Sequence, residues 1–185
     1  MSKNIIIAEA PLSKFLFSNT ASAWFWLIVR LYVGWEWAVA GWEKVFNPVW
    51  FGSTAGGALS GFVQDALTKV DGAHPDVQGW YANFLQTVVL PHAGAWSQAV
   101  AVGELLVGAG LMLGVLTGIA AFFGLFMNLN YLLAGTVSTN PILFTLAIGL
   151  MLAWKVAGYY GADRYLLPYL GTPWKPGQIF KKINN

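Results

Sequence analysis

Runs of apolar residues long enough to cross a bilayer alternate along this chain with short polar breaks. Four stand out, at 21–46, 94–116, 118–137 and 141–157. Each approaches or exceeds the roughly 17–25 residues that a spanning helix needs. The second and third are parted only at Thr117-Gly118. The third and fourth are parted by Ser138-Thr139-Asn140-Pro141, a capping group followed by proline. Breaks this short make neighbouring helices antiparallel. The first run is entered at Thr20 or Ser22, either of which predicts an N-cap. Residues 47–93 read differently. A glycine-rich stretch leads into "FVQDALTKV" and "PDVQGWYANFLQTVVL", which predict short amphipathic helices on the membrane surface or capping the bundle. Asp76 after Pro75 helps to start the second of these, and Pro91 ends it. The predicted architecture is all-α: one domain, an integral membrane four-helix bundle, with an outer loop at 47–93 and a tail at 158–185. Pro168, Pro173 and Pro176 break any helix in that tail, so it reads as surface-bound rather than as a further span.

Composition supports the membrane reading. Of 185 residues, 57% are hydrophobic and only 10% charged, against roughly 25% charged in soluble domains. The chain has no cysteine, which excludes disulfides and thiolate ligands, and two histidines make an all-protein transition-metal site unexpected. A net charge of +2 does not point to nucleic acid. Ala21-Ser22-Ala23 fits a signal-cleavage pattern, but the stretch before it is too polar for a signal core, so the first run is expected to be its own insertion signal. Lys3, Lys14, Lys155, Arg164, Lys175, Lys181 and Lys182 gather at the two ends of the chain, whereas the long loop is acidic. The positive-inside rule then predicts a multi-pass cell-membrane protein with both termini in the cytoplasm.

The first apolar run carries Arg30, Glu36, Glu43 and Lys44. A charge at the bilayer centre costs at least about 2.5 kcal/mol, so each calls for a partner or a function. Counting about 1.5 Å per residue from the cytoplasmic helix ends puts Arg30, Glu36, Glu104, Asn128 and Asn130 in one slab near the midplane. The expectation is a buried polar cluster in which Arg30 pairs with Glu104 and Glu36 stays partly unmatched. Such a cluster serves either as a structural ion pair or as a site of proton-coupled chemistry. Glu43 and Lys44 read as an interfacial pair. Gly110, Gly114 and Gly118 form a small-residue stripe for helix packing. Trp37 lies deep enough to stack on an aromatic ligand. His74 and His92 read as surface residues of the outer loop.

The segments "RLYVGWEWAVAGWEK", "GELLVGAGLMLGVLTGIAA" and "GYYGADRYLLP", in that order, resemble the DoxX family of four-helix membrane proteins, and more closely its DoxD-like branch. Glu36 departs from the usual apolar residue between the family glycines. The resemblance implies a membrane subunit of thiosulfate:quinone oxidoreductase, passing electrons from an inorganic sulfur donor to quinone as a diffusible co-substrate. On that reading Arg30, Glu36 and Glu104 handle protons. Trp37, Asn128 and Asn130 line the quinone, and Lys44, Lys69 and His92 are the cations available to thiosulfate. No metal, haem or flavin motif accompanies them. A partner subunit or a homo-oligomer is expected. The rivals are a non-catalytic scaffold docking a redox or sulfur-handling partner, and a small transporter.

Overall fold

The computed structural model describes residues 9–171, and among these every regular element is helical. The helices are α1 (Pro11–Ser18), α2 (Ala23–Val45), α3 (Gly57–Leu67), α4 (Gly79–Phe84), α5 (Ala93–Leu113), α6 (Thr117–Leu133), α7 (Asn140–Leu152), α8 (Trp154–Ala157) and α9 (Asp163–Leu170). Helix α2 packs on α5 and α7, and α6 packs on the same two helices, so the four longest close into a ring.

The closest seam is between α2 and α5, and glycine makes it possible. A Cβ added at Gly41 would collide with the backbone nitrogen of Leu105, and one at Gly108 with the backbone of Ala38. At Gly34 it would stand 3.0 Å from Leu111 Cβ. The two backbones therefore touch along three turns, the small-residue packing that lets helices associate in lipid. The expected stripe of Gly110, Gly114 and Gly118 does not lie on one helix. Gly110 faces Ala120 of α6, Gly114 ends α5 with a φ of 66°, and Gly118 lies against Trp154.

Several boundaries differ from the sequence expectation. Neither Thr20 nor Ser22 caps α2: the Ser22 hydroxyl donates back to the carbonyls of Leu16 and Asn19, while Asn19 Oδ1 accepts from the Ala21 amide. Pro91 does not end the amphipathic segment. Helix continues from Gly79 through a π turn (Leu85–Val89) and a 3-10 turn (Leu90–His92) into α5. Proline 91 lacks the N–H that an α-helix would offer to Thr87. The wider π turn, with Leu90 N–H bonded to Leu85 O, shifts the bonding register just before it. Pro168 lies inside α9, where its missing N–H removes a single bond from a two-turn helix. Residues 158–171 are thus an ordered segment carrying a two-turn helix, too short to be a further span. The rest of that tail, with Lys175, Lys181 and Lys182, lies outside the described residues.

Two cores form. One fills the ring with Trp26, Val33, Trp37, Val107, Leu111, Ala121, Leu150 and their neighbours. The other joins α3 and α4 to the far end of α6 through Leu59, Val63, Tyr81, Leu85 and Ala134. The outside of the ring is apolar as well: Trp24, Ile28, Trp35, Leu106, Leu113, Ile119, Phe122, Phe123, Phe126 and Ile142 are all exposed. Soluble monomers rarely show apolar surface on this scale, and the chain is membrane-associated. Among the described residues, one helix is both long and apolar enough to cross a bilayer, the 35-residue run Gly79–Leu113. Helices α6 and α7, with 17 and 13 residues, are shorter apolar helices, and α2 carries four charges. Of the four spans expected from the sequence, only the second therefore lies on a helix that meets both criteria.

Candidate functional site

The α2–α5 seam fixes where the charges meet. Because Gly41 lies on Leu105 and Gly34 on Leu111, the last turn of α2 reaches the middle of α5. Lys44 Nζ stands 2.6 Å from Glu104 Oε2. The Tyr131 hydroxyl, from the end of α6, donates to Glu104 Oε1 at 2.5 Å. Glu104 is 1% exposed, and both of its oxygens are engaged. Lys44 keeps one side toward solvent and also sits 5.1 Å from the Trp50 ring centroid, a cation–π contact. Trp37 stacks on Tyr131, with centroids 6.4 Å apart, and Phe62 meets the same ring edge-on. Glu36 is half-buried and has no hydrogen bond or ion pair among the described residues.

Two cavities meet at this triad. The more polar one, of about 310 Å³, is lined by Glu36, Lys44, Glu104 and Tyr131, with Thr136, Ser138, Thr139 and Asn140 of the α6–α7 turn and an apolar wall that includes Trp37, Trp50 and Leu143. An almost wholly apolar cleft of about 770 Å³ lies between α5 and α6 under α3 and α4. Leu59, Phe62, Val100 and Tyr131 line both, so they form the partition. The polar end of the cleft is made by Tyr81, Asn130 and Tyr131. The Tyr81 hydroxyl donates to Asn130 Oδ1 at 3.1 Å and acts electrostatically on Tyr131.

Arg30 goes elsewhere. Its Nη1 donates to Leu111 O at 2.7 Å and its Nη2 to Tyr160 O at 3.0 Å. The expected Arg30–Glu104 pair does not form, since Leu111 lies seven residues beyond Glu104, about 10 Å along α5. Equal depth for Arg30 and Glu104 requires helices with flush ends. In the structure α2 begins about two turns beyond the end of α5. Arg30 instead occupies the C-terminus of α5, where unpaired carbonyls and the helix dipole favour a cation. Asp163 does the converse: Oδ1 accepts from the Leu116 amide at 2.6 Å and Oδ2 from the Thr117 amide at 2.8 Å, capping the N-terminus of α6. A cation and an anion thus bracket the α5–α6 turn, and Asp163 acts electrostatically on Arg30.

The remaining expected residues divide. Glu36, Trp37, Lys44 and Glu104 line the polar cavity, and Asn130 lines the cleft. Asn128 is fully buried in the ring with neither amide atom bonded. His92 is exposed and lines neither cavity. Lys44 pairs with Glu104 rather than with Glu43, which is exposed. Lys69 is held by Asp65 at 2.7 Å. The cations expected for thiosulfate are therefore committed or distant, and a cavity holding two carboxylates against one lysine disfavours a dianion. Tyr131 and Asp163 were not assigned roles from the sequence. Tyr131 falls three residues after Asn128 and seven after Gly124, on the same inward face of α6, and that spacing was the available signal.

These features define a helical, membrane-associated protein whose ionisable side chains turn inward. The DoxX family model matches residues 25–137, more than half of the chain, and the protein belongs to that family. The match contains Arg30, Lys44, Glu104 and Tyr131, and ends before Asp163. Neither a curated protein nor a solved structure matches the chain. Among the described residues, no group of three or more His, Cys, Asp or Glu is placed to hold a metal.

Proposed function

We propose that this chain is a multi-pass membrane subunit of a quinone-linked oxidoreductase, with the Tyr131–Glu104–Lys44 triad as the proton-handling part of its quinone site. On this reading the ring of α2, α5, α6 and α7 sits in the bilayer with both termini on the cytoplasmic side. The shorter α6 and α7 are extended to spanning length by their turns and by α8. The observation that carries the reading is that Tyr131, bonded to Glu104, lines both the apolar cleft and the smaller cavity that holds Glu104 and Lys44.

The residues suit a flat ring with two carbonyl oxygens and an apolar tail. The cleft offers apolar walls for a tail, and Tyr81, Asn130 and Tyr131 offer hydrogen-bonding groups at one end. Bound there, the quinone would accept two electrons and two protons. Tyr131 presents a hydroxyl bonded to a buried carboxylate, and Lys44 is bonded to the other oxygen of that carboxylate. The DoxD-like resemblance supplies the inorganic sulfur donor, thiosulfate, as the source of electrons. The acidic polar cavity favours a donor site on a partner subunit or another surface rather than beside Glu104. Purified protein should carry co-extracted quinone, and Tyr131→Phe and Glu104→Gln should each lower quinone reduction at least ten-fold while the protein stays folded. Full turnover in both variants would favour a scaffold role, for which the use of Arg30 and Asp163 as helix caps is the supporting observation.

A further inference from the structure

We infer that the polar cavity is an aqueous vestibule on the outer side of the membrane, and that protons for the quinone site enter from it along Lys44, Glu104 and Tyr131. The inference rests on the function proposed above and adds the side and the route.

The geometry points outward. The cavity is bounded by the α6–α7 turn and by Trp50 after α2, at the end of the ring opposite the start of α2. With the lysine-rich ends cytoplasmic, that end faces out. Its titratable groups are Glu36 and Lys44 from α2, Glu104 from α5 and Tyr131 from α6. Glu36 has no hydrogen bond or ion pair among the described residues, and a carboxylate in that condition needs water. Lys44, 20% exposed, touches the vestibule and is bonded to Glu104, which is bonded to Tyr131, which lines the cleft. These bonds form an unbroken line from the polar cavity to the apolar one.

The opposite direction has no bonded chain of ionisable groups. Between the triad and the α5–α6 turn lie Val33, Leu111, Ala121 and Leu150, each no more than 1% exposed, and the polar groups there, Asn128 and the Thr117 hydroxyl, are bonded neither to the triad nor to each other. At that turn the terminal nitrogens of Arg30 and both oxygens of Asp163 are bonded to backbone groups.

The step balances as follows. Two electrons come from the inorganic sulfur donor, directly or through a partner. For each of two protons, the Tyr131 hydroxyl turns from Glu104 to a reduced carbonyl oxygen in the cleft and gives up its proton. Lys44 then passes a proton to the Glu104 carboxylate, Glu104 passes it to the tyrosinate, and Lys44 regains one from vestibule water near Glu36. The net change is quinone to quinol, with two protons removed from the outer phase.

The native chain has no cysteine, so a single introduced thiol reports its own surroundings. Glu36→Cys, and Thr139→Cys on the exposed rim in case the first fails to fold, should react with a membrane-impermeant thiol reagent at least ten-fold faster in right-side-out than in inverted vesicles. Ala121→Cys, below the triad, should stay unlabelled from both sides. In oriented proteoliposomes oxidising thiosulfate with its partner present, a pH dye should show alkalinisation of the outer phase. Labelling of the rim thiols from the cytoplasmic side, or proton loss from that side while quinone is still reduced, would overturn the vestibule and leave the quinone site standing. Absence of both bound quinone and quinone reduction in the wild type would remove the function reading, and this inference with it.

Discussion

Breaking the Lys44–Glu104 pair from either end should give unequal results, and the inequality follows from burial. Lys44→Met leaves Glu104 with one donor, Tyr131, at a position only 1% exposed. Removing one member of a buried pair typically costs about 3–5 kcal/mol. Glu104→Gln leaves Lys44, which is 20% exposed and can turn its ammonium into the polar cavity. That relief brings the expected loss down to about 1–2 kcal/mol, the range for a buried donor left short of a partner. At roughly 2–4 °C per kcal/mol for a chain of this size, the first variant should melt about 6–20 °C lower and the second about 2–8 °C lower. The double variant Lys44→Met/Glu104→Gln should recover part of the first loss, giving a coupling energy within the roughly 0.5–3 kcal/mol seen for contacting residues. Arg30→Gln serves as the contrast, because two turns of α5 separate Arg30 from Glu104. Its effect should add to that of Glu104→Gln within about 0.5 kcal/mol. The assay is thermal unfolding of all six proteins in one detergent. Strong coupling of Arg30 to Glu104, or none between Lys44 and Glu104, would refute the reasoning.

The α2–α5 seam predicts a sharp contrast between glycines. Gly108→Ala should destabilise by about 1–3 kcal/mol or prevent folding, since the new methyl meets the Ala38 backbone. Gly61→Ala on α3, with nothing within 4 Å of the new Cβ, should be neutral or add about 0.5–1 kcal/mol, both read by melting temperature. Asp163→Ala should cost about 2 kcal/mol, the upper end for loss of an N-cap, and Asp163→Asn less, because its remaining oxygen still accepts one of the two amides; hydrogen exchange at Leu116 and Thr117 should rise in the same order.

Long apolar runs made the helices legible, because nothing but helix satisfies the backbone of such a segment in lipid. Their ends were harder. At Pro91 the expected stop rests on a local rule, and the π turn that evades it shows in no single residue type. Glu36 and Glu104 were expected in one buried cluster and both line one cavity; Lys44, expected as the interfacial partner of Glu43, lines it as well. The partner of Glu104 was misread because depth was counted from helix ends, whereas registry is set by which glycine meets which backbone. Gly34 against Leu111 slides α2 past α5 and hands Lys44 to Glu104 in place of Arg30. Asp163 stood within a quoted motif, but its role needs contact between residues 47 positions apart in the chain, and no periodicity reports such a contact.

That last contact has a consequence for how the protein is made. The amides that open α6 belong to residues 116 and 117, and the carboxylate that satisfies them arrives only with residue 163. Until residue 163 has been made, the turn between α5 and α6 has only water or lipid headgroups to satisfy those amides. Only when the segment after α8 has been synthesised does Asp163 replace that solvent, and Tyr160 supply its carbonyl to Arg30. The latching of the α5–α6 turn is therefore a late event in synthesis, later than the last helix of the ring. A chain released before residue 158 could close its ring and would still lack that latch.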